Sequence, residues 1–287
     1  MWEKCQSLQN DLVALRRRFH QIPELGEDLP ETQALLCAEL DKMGIPYKRN
    51  TLDSGVVALI EGGKSGKVVA LRADMDGLPI AETTGLPFAS RHEGRMHACG
   101  HDTHITMLLG AAKVLNENKA DLKGTVKLIF QTAEETCTGS QIMLKEGVME
   151  NPHVDAVFGM HIGTIIDPSI AAGTVIVTPG CCMASYDHFV LRVTGKGCHG
   201  STPEKGVDPI VVASNIVLAL EEIVAREVPS TKAAVVTIGR IHGGIAYNAI
   251  PGEVEIEGTT RALEEDVRQY LGKRIGEIAA GIAKSYR

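Results

Sequence analysis

The residues best suited to chemistry concentrate in one short stretch, Met96-His97-Ala98-Cys99-Gly100-His101-Asp102-Thr103-His104. One cysteine, three histidines and an aspartate fall within nine residues, and an apolar helical pattern from Ile105 to Ala112 follows directly. A Cys-x-His pair at a loop-to-helix junction can present a thiolate and an imidazole to one metal ion, and the intervening glycine lets the backbone turn sharply. The competing reading is a polar turn that caps the helix, with Asp102 as the N-cap. Spacing alone does not separate the two.

The elements around the stretch favour the metal. Leu8, Leu12, Leu15 and Phe19 have helical spacing, and Glu31 to Met43 reads as a second helix closed by Gly44 and Pro46. Residues 55–61 and 67–72 are apolar runs bounded by glycine and read as strands, the second leading into Ala73-Asp74-Met75-Asp76. A helix over 103–118, a strand over 125–130 ending in Ala133-Glu134-Glu135, a helix over 139–147 and a strand over 154–160 ending in His161 complete the first half. The alternation predicts an α/β domain with a mostly parallel sheet and flanking helices. In such sheets the ligand crevice lies beyond the carboxyl ends of the strands. Asp74, Glu134, Glu135 and His161 each sit just past a strand, so four segments, with Cys99 and His101, aim ligand-type side chains at one edge.

After Gly180 the texture changes. Residues 186–194 alternate as a half-exposed strand, Asp208-Pro209 opens a helix to about Ala225, residues 232–241 and 254–261 read as strands, and 263–286 as a long helix. The expected division is 1–183 and 184–287, the second part an α+β unit in β-α-β-β-α order. A ferredoxin-type sheet needs one further strand, so the expectation is a C-terminally truncated chain lacking it.

Composition bounds the function. The chain has 287 residues, 44% hydrophobic and 23% charged, with a net charge of −7 and no basic block. That argues against nucleic acid or an anionic membrane as partner. No apolar run reaches a membrane span and the N-terminus lacks a signal-peptide core. Seven cysteines, an odd number at irregular spacing, fit reduced thiols and a cytoplasmic location, with Cys181-Cys182 read as buried.

The series Arg72-Ala73-Asp74-Met75-Asp76-Gly77-Leu78-Pro79, Met96 to Asp102, Ala133-Glu134-Glu135, Gly159-Met160-His161 and Gly195-Lys196-Gly197-Cys198-His199-Gly200 resembles the M20 metallopeptidase family. The branch it looks most like is the amidohydrolases of N-acyl amino acids, such as hippurate hydrolase, indoleacetyl-amino-acid hydrolase and N-acetyldiaminopimelate deacetylase. The resemblance implies a catalytic domain that holds two divalent metals, and a ferredoxin-like lid domain that mediates homodimerisation. It implies Cys99, His101, Glu135 and His161 as metal ligands, Glu134 as general base and Asp74 as the carboxylate that orients the site. It gives His199 a reach into the active site, often across the dimer, and gives Asn248 and Arg261 the substrate carboxylate or oxyanion. The family's last metal ligand is a histidine beyond the lid that this chain does not reach, so the resemblance implies one tightly held metal and slow turnover.

The residues support the same chemistry. Paired metals activate water and polarise the amide, with zinc favoured by a thiolate ligand and manganese, cobalt or nickel open. Glu134 would move the proton, His199 would donate to the oxyanion and Arg261 would grip a carboxylate. One rival is a cysteine hydrolase with Cys99 as nucleophile, which leaves the Glu134-Glu135 pair without a task. The other is a catalytically incomplete fragment that binds metal and dimerises. His20, His92, His104, His153, His188 and His242 are expected to be structural or solvent-facing.

Overall fold

The apolar stripe through Leu12, Leu15 and Phe19 folds as helix α2 (Gln9–His20), behind a short α1 (Trp2–Ser7). The computed structural model describes residues 2–163 and 169–286. Helix α3 (Pro30–Met43) carries proline in its first turn and closes at Gly44, whose φ of 62° is left-handed. A side chain from outside caps its start: the buried Glu24 carboxylate accepts the N–H groups of Glu31 at 3.1 Å and Thr32 at 2.8 Å. Strands β1 (Tyr47–Arg49), β2 (Val56–Glu61) and β3 (Lys64–Asp74) follow. Helix α4 (His101–Glu117), β4 (Lys123–Gln131), α5 (Gly139–Lys145) and β5 (Ala156–Gly159) complete the first unit, Met1–Ala172.

The sheet order is β1-β2-β4-β3-β5. β4 and β5 both run parallel to β3, whereas β2 is antiparallel to β4 and β1 to β2. The expected mostly parallel sheet is therefore corrected to a mixed one. The cause is connection length. A parallel pairing needs a crossover of a dozen or more residues, and only Gly62 and Gly63 separate β2 from β3. A Cβ at Gly62 would lie 2.4 Å from the Gly124 carbonyl oxygen, so the close approach of backbone there excludes a side chain.

Leu128 and Phe130 of β4, with Val56, Ala58 and Ile60 of β2, face Phe19, Leu36, Leu40, Ile105 and Leu109 from α2, α3 and α4. Ile129 and Ala70 face Met143, Val148 and Val154 on the other side. Each fully buried side chain of this size contributes about 1.5–3 kcal/mol. Buried Lys127 donates through Nζ to the carbonyls of Val148, Glu150 and Pro152, each at 2.9 Å, and so ties down the chain that enters β5. The result for function is that β3, β4 and β5 all end at one edge.

The second unit, Gly173–Arg287, contains β6 (Asp187–Thr194), β7 (Cys198–His199), α6 (Pro209–Glu222), β8 (Ala234–Gly243), β9 (Ala249–Ile250), β10 (Glu253–Ala262) and α7 (Glu265–Ser285). β6, β10 and β8 form an antiparallel sheet in that order. Val212, Ile216 and Leu220 of α6 and Leu271 and Ile275 of α7 pack with Val193, Val254 and Ile256. Asp208 caps α6 by accepting from the N–H of Ile210. The expected helix to Ala225 ends as α-helix at Glu222 and continues as a wider turn over Ile223–Glu227. Cys181 and Cys182, expected to be buried, are exposed; the Cys181 thiol donates to the carbonyls of Met183 and Leu263. No helix among the described residues is long and apolar enough to cross a membrane.

Asp102 is not the N-cap of α4. That position belongs to Gly100, with φ of 95°, and Asp102 lies in the first turn, where its carboxylate faces α2. His20 Nδ1 donates to Asp102 Oδ2 at 2.7 Å, Arg16 Nε lies 2.7 Å from the same oxygen, and His20 Nε2 lies 3.3 Å from Glu82. His20 is therefore buried in an ion cluster. The Asp102 hydrogen bond outweighs burial and raises the His20 pKa above its usual 6.5. Because the raised value belongs to the folded state, charged His20 contributes stability that is complete below about pH 6.5 and is lost as pH rises through the raised value. The expected result is that His20→Ala loses about 1–3 kcal/mol at pH 5.5, the scale of an unpaired buried group, and that its gap to the parent narrows towards alkaline pH. Urea unfolding across that range measures this; a gap that widens with pH contradicts the pairing.

Candidate metal centre

Asp74 is the last residue of β3, registered against Gln131 at the end of β4, and His161 lies just past β5. Glu134 and Glu135 occupy a turn after β4 whose flanking residues, Ala133 (φ 49°) and Cys137 (φ 59°), are both left-handed. Non-glycine residues in that region store strain unless the surroundings hold them. The hold is visible. Asp76 accepts the N–H of Glu134 on Oδ1 and of Glu135 on Oδ2, each at 3.1 Å, and the Ala133 N–H donates to the Gly26 carbonyl at 3.0 Å.

Three groups of candidate ligands form here: Cys99, His101 and His161; Asp74, His101 and His104; and His101, Glu134 and Glu135. In each, the donor atoms lie within 4.8 Å of one another, and His101 belongs to all three. His101 is fully buried. Its Nε2 faces Asp74 at 3.7 Å and Glu134 and Glu135 at 3.8 Å, and its Nδ1 lies 3.3 Å from Asp76 Oδ1. Cys99 Sγ lies 3.3 Å from His161 Nε2. The structure thus brings together Asp74, Cys99, His101, Glu134, Glu135 and His161, all named from sequence.

Sequence reasoning passed over two members. Asp76 lies closer to His101 than Asp74 does. His104, expected to be structural or solvent-facing, is buried and hydrogen-bonded through Nδ1 to Asp74 Oδ1 at 2.5 Å. Signals for both were present: Asp74 and Asp76 are two apart at a strand end, and His101 and His104 are three apart on one helix face.

The electrostatics are those of a site short of positive charge. Burial would raise Asp74, but the His104 hydrogen bond, His101 and Arg72 outweigh it and hold the carboxyl at about 2. Arg72 Nη1 lies 2.6 Å from Asp74 Oδ2. Burial, then the charge of Glu135, pushes the Cys99 thiol up to about 12. Burial, with the charges of Asp74 and Glu135, also raises Glu134 despite His101. Burial opposes a charge on His101, yet the Asp76, Asp74 and Glu135 carboxylates outweigh it and raise its pKa.

A divalent metal fits this donor set. His101 Nε2 and Glu135 Oε1 are buried and make no hydrogen bond among the described residues, an arrangement costing roughly 1–3 kcal/mol per group unless a ligand completes it. A cation would favour the thiolate of Cys99. In the second unit, His199 (β7) and Asn248 flank one ladder: His199 pairs with Ala249, and Gly200 N–H donates to the Asn248 carbonyl at 2.8 Å. Arg261 donates to the Thr260 carbonyl at 2.9 Å and stacks 4.3 Å over Tyr186.

Two substitutions test the donor set. Cys99→Ala and His101→Ala are expected to keep the folded circular dichroism and lose bound divalent metal, while Asp76→Asn weakens binding about 10–100-fold, as for other residues that orient a ligand. Elemental analysis and chelator competition read both; parent-level metal in Cys99→Ala and His101→Ala sinks the assignment.

Comparison with known proteins agrees with this geometry. Residues 70–280 match the family described as peptidase family M20/M25/M40. The chain is 42% identical over 280 residues to N-acetyl-L-cysteine deacetylase of Bacillus subtilis, covering 98% of this chain and 66% of that protein. It is also 42% identical to an IAA-amino acid hydrolase of Arabidopsis thaliana, covering 93% of this chain and 60% of that protein. The chain therefore spans less than two thirds of the length of these relatives, 66% of one and 60% of the other. Among solved structures it resembles a dinuclear metal-binding peptidase of the M20 family from Bacillus subtilis, with a TM-score of 0.82 at 38% identity over 98% of this chain and 72% of that one. The ligand cluster at the strand ends and these matches lead to one conclusion: the chain belongs to peptidase family M20/M25/M40.

Proposed function

We propose that this chain carries the metal site of an amidohydrolase that cleaves N-acyl amino acids. The observation that supports the proposal is that His101 is shared between two donor groups, one with Cys99 and His161 and the other with Glu134 and Glu135. The names of the relatives, an N-acetyl-L-cysteine deacetylase and an IAA-amino acid hydrolase, point to the same substrate class. Bound divalent metal would supply an activated water and a polarised amide carbonyl. A thiolate among the donors favours zinc, with manganese, cobalt and nickel also compatible.

The chain's own residues do the rest. His101 presents Nε2 while Asp76 stands behind Nδ1, an arrangement that fixes a ligating imidazole. Glu134 and Glu135 lie equally far from His101 Nε2, so distance does not divide their roles. Exposure supports the division that the family resemblance implies: the Glu134 side chain is 39% exposed and that of Glu135 23%, and Glu135 Oε1 is the buried, unpaired atom. Glu135 is the ligand. Glu134 takes a proton from the attacking water and delivers it to the amide nitrogen as the C–N bond breaks. Its raised pKa brings it closer to neutral pH, where base and acid forms both serve.

The second unit completes the proposal. We assign His199 to the oxyanion and Asn248 and Arg261 to the substrate carboxylate or oxyanion, as the family resemblance implies. Its β-α-β-β-α order supports a ferredoxin-like lid, and the outer edges of β6 and β8, unpaired among the described residues, support a homodimer through this unit. Seven unpaired cysteines support a reducing, cytoplasmic setting.

The cysteine-hydrolase alternative is weaker. A nucleophilic cysteine needs a depressed pKa, and burial, then the charge of Glu135, pushes Cys99 the other way. Chelation decides it, since a metal-free thiol enzyme would keep its activity. For the carboxylates, Glu134→Gln is expected to retain metal and lower kcat about 10²–10⁴-fold, while Glu135→Gln loses metal. Hydrolysis of N-acetyl and N-benzoyl amino acids, with metal content measured on the same samples, is the assay. The opposite metal pattern would exchange the two roles.

A further inference from the structure

His161 is poorly fixed by packing. It follows a short strand whose four residues are all exposed, and is itself exposed, unlike buried His101. A ligand on such a segment needs another hold. Its neighbour Ile162 supplies one. The Ile162 N–H donates to His104 Nε2 at 2.9 Å. An accepting Nε2 carries no proton, so the His104 proton is on Nδ1, where it is donated to Asp74 Oδ1 at 2.5 Å. The Ile162 carbonyl in turn accepts from His161 Nδ1–H at 2.5 Å, which leaves His161 Nε2 unprotonated, with its lone pair turned to Cys99 Sγ at 3.3 Å. The Ile162 side chain packs on Gly100, where a Cβ would come within 2.6 Å of Ile162 Cδ1. The His104 and His161 rings stand 4.6 Å apart, nearly perpendicular.

We propose that His104 is a positioning residue that links Asp74 to the backbone of Ile162 and thereby sets the place and tautomer of His161 at the metal centre. The inference rests on the metal reading of that centre. It explains why a buried histidine three residues after His101 has both nitrogens committed, one to a carboxylate and one to a backbone N–H, and none left for a metal. It also explains how a residue on helix α4 governs a ligand beyond β5.

The test uses the whole chain, stripped of metal and titrated with Zn²⁺ alone. His104→Phe keeps the ring and removes both hydrogen bonds; His104→Gln places an amide oxygen near the Nε2 position, where it can accept from Ile162. Hydrogen–deuterium exchange at the Ile162 amide is read on the metal-free protein. His104→Phe is expected to speed that exchange and weaken Zn²⁺ binding about 10–100-fold, and His104→Gln to restore most of both. In a His161→Ala background, His104→Phe is expected to add little further loss of Zn²⁺ affinity, because both changes act through the same ligand. Losses that add in full, or parent-like exchange and affinity in His104→Phe, overturn the proposal. Should His104→Phe not fold, parent-like Ile162 exchange and Zn²⁺ affinity in His104→Ala overturn it instead. A parent chain that takes up no Zn²⁺ overturns the metal reading, whereas undisturbed Ile162 exchange in a Zn²⁺-binding variant overturns the positioning alone.

Discussion

The Asp76 carboxylate is the constraint on which the site depends. It is fully buried two residues past the end of β3, next to Met75 in the core. A buried carboxylate without partners would cost several kcal/mol, and here its two oxygens are taken by the N–H groups of Glu134 and Glu135, with His101 Nδ1 close to one of them. One side chain thereby ties a strand end, a strained turn and the first residue of a helix. The left-handed Ala133 and Cys137 on either side of the two glutamates are tolerable because this hold, and the Ala133 bond to Gly26, determine the turn.

Around that constraint the charges are unequal. Asp74, Asp76, Glu134 and Glu135 converge on a space where His101 and Arg72 supply the opposing charge. Neighbouring carboxylates are pushed to opposite ends of their range: Asp74 is held at about 2, and Glu134 is raised. Such a split separates a carboxylate that stays ionised from one able to move a proton. A divalent cation at the common focus would relieve the excess negative charge and reverse the upward push on Cys99.

The supporting elements show how far from the site its geometry is set. Helix α4 is gripped from α2 through Arg16, His20 and Asp102, and Leu12 packs so closely on Gly110 that a Cβ there would lie 3.0 Å from Leu12 Cδ1. Glu24 caps α3 with its carboxylate while its carbonyl accepts the Gly77 N–H at 2.7 Å, which fixes the chain just beyond Asp76. His97, beside the Cys99 loop, is buried with neither nitrogen hydrogen-bonded among the described residues, and burial lowers its pKa to about 4, so it enters this acidic setting uncharged. In the second unit the β7–β9 ladder, two residues on each side, sets His199 and Asn248 near one another.

The sequence by itself determined where the candidate ligands stand along the chain. Cys99, His101, Glu134, Glu135 and His161 were legible because strand ends and a loop-to-helix junction have local signatures: apolar runs that stop, a glycine that permits a left-handed turn, a helix period that begins. The periodicity also marked α2, α3, α4, α6 and α7, whose apolar faces repeat along contiguous residues. Tertiary structure alone decided the rest. The strand order, with β4 entering between β2 and β3, is a choice of partner and has no local signature. The two-residue strands β7 and β9 are too short for a period to register. Asp76, Asp102 and His104 owe their roles to partners 58, 82 and 30 residues away in the chain. A buried carboxylate and a solvated one have the same letter; only the fold assigns the donors that make burial tolerable.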